Sequence, residues 1–225
     1  MKYLLPKHIF LCFTADSPIF LDLRKDKYVG MPQTELPALR ELVERNGKAQ
    51  GSSDTLDALV KAGLLTLDIE QGKELACVSI QTARTTAGAL TLDERPRLTV
   101  WAMVRLIAAC AEAYLLLRLL KLERVIGYLL RRRSRLATVS DPQSAVQDCV
   151  ATFRLLRPLL YTSRDKCLFD SIVLALFLLR YRIPSLIVFG VNTAPFEAHC
   201  WIQQGDRVLN GSPEFVSAFT PIMAV

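Results

Sequence analysis

The apolar run from Leu98 to Leu130 sets the first constraint on this chain, because such a run is either a membrane span or the framework of a helical bundle. Arg105, Glu112, Arg118 and Lys121 cut it, leaving no uninterrupted apolar stretch of about 18 residues. A spanning helix would strand those charges in hydrocarbon at roughly several kcal/mol each. Arg105 and Glu112 fall on nearly the same helical face, with the remainder apolar. The run is therefore expected to form one or two helices packed on the segment that follows, peripheral membrane contact being the lesser alternative.

With 51% hydrophobic and 22% charged residues, the chain should fold around a real core, and its 225 residues suit one domain or two small ones. Met1, Lys2 and Tyr3 lead into a short apolar run broken by Pro6, Lys7 and His8, which does not read as a secretory signal, so a cytoplasmic location is expected. The six cysteines include no C-x-x-C pair, and there are two histidines, so a zinc site would need scattered ligands and is not expected. The cysteines are expected to be reduced and mostly part of the core.

The net charge of +6 is local. Residues 1 to 85 carry eleven basic and eleven acidic side chains, whereas Arg118, Lys121, Arg124, Arg131, Arg132, Arg133 and Arg135 stand against Glu123 alone. Such a patch suits phosphate, anionic lipid or an acidic partner protein. Without interleaved aromatics or a recognition motif, it is not read as a nucleic-acid site.

In the first segment, Ile9 to Phe13, Ile19 to Leu23 and Lys27 to Met31 are separated by turn signals and predict a three-stranded antiparallel meander. Ile19, Leu21 and Leu23 alternate with Phe20 and Asp22, the period of a strand with one buried face. A helix starting at Gln33 or Thr34 carries Leu36, Leu39, Leu42 and Val43 and ends at Asn46-Gly47. Ser53 or Asp54 caps a second helix with Leu56, Leu59 and Val60, ended by Gly63. Residues 1–75 thus form a small domain, 76–97 a linker containing Gly88 and Pro96, and 98–225 a second domain. Asp141-Pro142 is expected to start a helix bearing Val146, Val150 and Phe153.

The chemistry is expected near the end of the chain. Ser163 or Asp165 can cap a helix that places Cys167 in its first turn, where unpaired N–H groups and the helix dipole favour an anion such as a thiolate or a developing oxyanion. Leu186 to Val191 reads as a strand, and Phe196 to Ile202 and Arg207 to Leu209 as two more, joined by a turn at Gly205. His199 opens the first of that pair. A thiol on a helix end facing an imidazole on a strand is the arrangement a cysteine hydrolase needs. Equally, a cysteine in a Leu-rich helix can be a plain core residue, and Cys200, next to His199 on a strand, should face the opposite side and be core.

Cys167-Leu168 with Ser171, Phe189-Gly190-Val191, Pro195-Phe196-x-Ala198-His199-Cys200-Trp201 and Val208-Leu209-Asn210 together resemble the leader peptidase, or B protein, of lasso-peptide biosynthesis. Leu21-Asp22-Leu23-Arg24 and Lys27-Tyr28-Val29-Gly30 resemble its small leader-binding domain, the RiPP recognition element. The resemblance implies an α+β chain. It implies a small winged-helix-like leader-binding domain with a three-stranded antiparallel sheet, followed by a helical segment and a transglutaminase-like, papain-like cysteine protease domain. It implies that the leader of a ribosomally made precursor adds as a strand, with Leu23, Lys27, Tyr28, Val29, Gly30, Met31, Leu56, Leu59 and Val60 in contact with it. It implies catalysis by Cys167 and His199, transfer of the freed core to an ATP-dependent macrolactam synthetase, and no cofactor. The family usually carries an Asp where this chain has Gly211, so Asn210 is expected to orient the histidine, with Asp206 in the turn as the other candidate. The alternative is a noncatalytic protein that binds the precursor and delivers it to the synthetase.

Overall fold

The structure, a computed structural model, describes residues 1–49, 53–87, 98–136, 143–162 and 166–225. Contacts divide the chain into two compact units. One comprises Met1–Ile80 with Val191–Glu197 and Thr220–Met223, and the other Gln81–Gly190 with Ala198–Phe219 and Ala224–Val225.

In the first unit, β1 (Leu5–Pro6) precedes the expected meander, formed by β2 (Ile9–Phe13), β3 (Pro18–Asp22) and β4 (Lys27–Gly30) in the order β2-β3-β4. Phe20 stands opposite Leu11 and Val29, and Asp22 opposite Ile9 and Lys27. One expectation is overturned: β3 is buried on both faces, with Phe20 and Asp22 as enclosed as Ile19 and Leu21. Asp22 is accommodated because its carboxylate accepts the Arg24 and Lys25 backbone N–H groups at the turn into β4.

A 3₁₀ turn (Gln33–Glu35) leads into α1 (Leu36–Glu44). The chain leaves it through Asn46 and Gly47, both at positive φ, and the Gly47 N–H returns to the Leu42 carbonyl. A Cβ at Gly47 would lie 2.0 Å from the Tyr3 carbonyl oxygen, so only glycine fits there. Ser53 caps α2 (Asp54–Lys61) through the Leu56 N–H, and Gly63 follows its end at φ +74. Leu39, Leu42, Leu59, Leu64 and Leu65 close the core against Ile9, Leu11 and Phe20. Beyond them β5 (Gly72–Lys73) pairs with β1.

The stretch expected as a linker contributes to the second unit. Thr85–Thr86 form β6, which runs parallel to β9 (Arg207–Val208), and Ala87 is fully buried. Gly88 and Pro96 lie outside the described residues. The remaining strands are β7 (Leu186–Thr193), β8 (Phe196–Gln204) and β10 (Thr220–Ala224), giving a sheet of order β10-β7-β8-β9-β6.

The helices are α3 (Val100–Leu119), α4 (Leu122–Ser134), α5 (Gln143–Leu156), α6 (Cys167–Arg180) and the short α7 (Pro213–Val216). Asp141-Pro142, expected to open α5, lie outside the described residues, and Val146, Val150 and Phe153 supply its buried face. Every residue of α6 from Asp170 to Leu178 is buried, which makes it the central helix of this unit. Against it packs α3, whose inner stripe of Ala102, Leu106, Ala109 and Ala113 is narrow enough for close approach.

By length and composition α3 could cross a membrane. Its Glu112, however, is held inside the bundle by Arg132 of α4 and Arg180 of α6, while Val100, Trp101, Ile107, Tyr114, Leu115 and Leu119 are exposed. Arg105 lies over the Tyr181 ring.

Candidate active site

Cys167 is the first residue of α6. The expected caps, Ser163 and Asp165, lie outside the described residues, and Lys166 occupies the position before the helix. The half-buried Cys167 thus belongs to the helix's first turn, whose N–H groups have no partner within the helix and can stabilise a nearby anion. Cys200 is buried, and its thiol is driven up by desolvation and, to a lesser degree, by the charge of Cys167.

His199 sits on β8 in an aromatic setting. Its ring stacks on Trp201 with 16° between planes and 6.0 Å between centroids, meets Phe215 edge-on at 5.0 Å, and lies 5.2 Å from Phe219. Phe215 and Phe219, at helical spacing around α7, are the wall that sequence reasoning missed. Desolvation holds His199 below the ordinary imidazole value, and the charge of Asp170 acts in the opposite sense. A neutral imidazole near neutral pH can accept a proton, as a general base must.

Gly190 on β7 makes room for this wall. A Cβ there would come within 2.8 Å and 2.9 Å of the Trp201 ring and 2.9 Å of Phe219, so a side chain at 190 would push the floor of the histidine's pocket.

Asn210 follows β9. Its carbonyl accepts the Ile202 N–H of β8 at 2.8 Å, and its amide donates to Ser171 Oγ at 2.9 Å and Asp170 Oδ2 at 3.1 Å. Ser171 in turn donates to the Cys200 carbonyl at 2.9 Å. All of Asn210's bonds among the described residues thus go to β8 backbone and to α6, and its side chain clasps the helix of Cys167 to the strand of His199. The Asp206 carbonyl, at the β8–β9 turn, accepts N–H groups of Arg84 and Thr85. A Cβ at Gly211 would meet Val208 and Val216 at ordinary contact distances, so the position is open.

Asp170 was not anticipated as a functional residue. It is 3% exposed and pairs with Arg157 at 3.1 Å, and it also accepts from Tyr161 Oη at 2.9 Å and from Asn210. Tyr161 is pushed far above its ordinary range, by burial first and then by this carboxylate. Arg154 donates to the Leu209 carbonyl at 3.2 Å, bracing the backbone beside Asn210. The sequence signal available was its position three residues beyond Cys167, on the same helical face, which by itself does not distinguish a buried carboxylate from a solvated one.

In the first unit, the residues expected to meet a leader peptide fall into two groups. Leu23 and Leu59 are buried, whereas Lys27 and Gly30 are exposed, Tyr28, Val29 and Met31 are half-buried, and Leu56 and Val60 pack at the margin of the core. β4 is the terminal strand of its sheet. A groove in the same unit runs between α1 and α2, lined by Leu39, Leu42, Arg45, Ala49 and Leu56. In the second unit, an apolar pocket lined by Ile126, Leu129, Ala175 and Leu179 lies toward the far end of α6 from Cys167.

No match is found among curated proteins or among solved structures. Residues 107–224, which contain Cys167, His199, Asn210 and Asp170, match the family model of the transglutaminase-like superfamily, whose fold is compatible with cysteine-protease-like activity. The chain belongs to the transglutaminase-like superfamily.

Proposed function

We propose that this chain is a cytoplasmic cysteine peptidase that binds the leader of a ribosomally made lasso precursor and hydrolyses the bond between leader and core. The observation that supports the chemistry is the Asn210 clasp, which ties the helix opened by Cys167 to the strand carrying His199. Cys167 gives its thiol proton to His199 as Sγ adds to the carbonyl carbon of the scissile bond, and the first-turn N–H groups receive the oxyanion. Collapse breaks the C–N bond as His199 gives its proton to the leaving amine, which departs as the core N-terminus. Water, deprotonated by His199, then attacks the thioester, releasing the leader as a carboxylate and returning the thiol.

The leader is held in the first unit as a strand added beside β4, the terminal strand of its sheet, where backbone pairing supplies affinity and alternate side chains supply specificity. Tethering raises the local concentration of the scissile bond, so substrate choice rests mainly on the leader. The freed core passes to an ATP-dependent macrolactam synthetase.

Incubating the purified protein with a lasso precursor and reading product masses tests this proposal. Two fragments whose masses sum to precursor plus water support it. Binding without fragments supports a delivery protein instead, and a product carrying an added amine supports a transferase.

A further inference from the structure

We propose that Asp170 is the positioning residue of the Cys167–His199 pair, a buried carboxylate that sets their geometry through Asn210 and Ser171. This rests on the peptidase reading above and adds to it the group that orients the pair.

The placement carries the argument. Asp170 lies one helical turn after Cys167, so the two share a face of α6. Its Oδ2 takes the Asn210 amide, whose carbonyl holds the Ile202 N–H on the strand of His199. The same amide reaches Ser171, whose hydroxyl holds the Cys200 carbonyl, the residue next to His199. Two hydrogen-bonded paths therefore run from this turn of α6 to backbone on both sides of the Trp201 position in β8.

A buried carboxylate this elaborately satisfied is costly unless its charge is used or fully paired. Arg157 supplies the pairing, and Tyr161 and Asn210 fill the remaining acceptor sites. The charge nonetheless extends beyond its partners: Asp170 raises the proton affinity of His199, opposing desolvation, and also that of Cys110 on α3. Among the described residues, the titratable and charged groups around Asp170 are Cys110, Arg157 with Arg154 beside it, Tyr161, His199, Cys200 and, one turn earlier on α6, Cys167, and Asp170 is the carboxylate of this set. It is thus the group placed to stabilise an imidazolium at His199, while Gly211 bears no side chain that could.

The test uses Asp170→Asn, which keeps shape and hydrogen bonding but removes the charge, alongside Asp170→Glu. Should the single variant fail to fold because Arg157 is left unpaired, Asp170→Asn combined with Arg157→Met removes both charges. Two readouts need no substrate: the His199 titration followed by NMR, with His8 as internal control, and the pH dependence of Cys167 alkylation by iodoacetamide, read by peptide mass. In the folded Asn variant the His199 midpoint should move to lower pH and the alkylation profile should change with it. Precursor cleavage should fall roughly 100-fold, the low end of general acid–base contributions, and Asp170→Glu should recover part of it. An unchanged His199 titration together with an unchanged alkylation profile overturns the inference even if the wild type cleaves. A wild type that cuts no precursor, with both profiles shifted in the variant, overturns the peptidase reading and leaves the positioning role standing.

Discussion

Asn210 gives its amide to Asp170 at 3.1 Å across a separation of forty residues, joining the end of β9 to the first turn of α6. Together with the bond from the Ile202 N–H to the Asn210 carbonyl, it ties the helix that Cys167 opens to the strand that carries His199.

Removing this clasp should cost both stability and rate. Asn210→Ala deletes bonds to Asp170, Ser171 and the Ile202 N–H, worth roughly 1–3 kcal/mol together after relaxation. Asp206→Ala, in a turn whose contacts run through its backbone carbonyl, should stay within about 0.5 kcal/mol. Urea denaturation and cleavage rates of both variants check this, and a greater loss for Asp206→Ala would reverse the assignment.

Gly190→Ala should destabilise the protein by about 1–3 kcal/mol, because its methyl group would press on Trp201 and Phe219. Fluorescence of the buried Trp201 should change with it. A neutral substitution with unaltered emission would mean that the aromatic wall is looser than described.

Stability should fall on acidification through His199. Burial holds its folded-state value below the ordinary 6.5, so the unfolded chain takes the proton first. The contribution of the neutral ring is complete above about pH 6.5 and is lost as pH drops from there toward the folded-state value. His199→Gln should flatten the dependence of the urea midpoint on pH in that window. Identical curves for variant and wild type would contradict the assigned burial effect.

On α3 the two faces should respond in opposite ways. Ala109→Leu forces bulk into the stripe against α6 and should cost about 1–3 kcal/mol, whereas Ile107→Gln on the exposed face should change stability by no more than about 0.5 kcal/mol. Thermal or urea unfolding of the pair decides between them.

Local chemistry made several of these elements legible in advance. The Ser53 cap, the Asn46-Gly47 exit and the apolar continuation after Cys167 each act within a few residues, and α1, α2 and α6 follow from them. The double burial of β3 did not follow, because alternation records side-chain polarity and not what the fold lays on each face. Nor did β6, whose two residues carry no period and whose partner, Arg207–Val208, comes more than a hundred residues later. Asp170 was hidden for the same reason. A lone carboxylate at the start of an apolar helix reads as a solvated group until Arg157, Tyr161 and Asn210 are brought around it.

The account depends most on the sulfur of Cys167 becoming acylated. Rapid quenching of the protein with a leader-bearing precursor, followed by intact-protein mass measurement, reads this directly. A transient adduct equal to the leader fragment less water, mapped to Cys167 and absent in Cys167→Ala, is the predicted result. Release of the leader by the Cys167→Ala protein at an undiminished rate would contradict it.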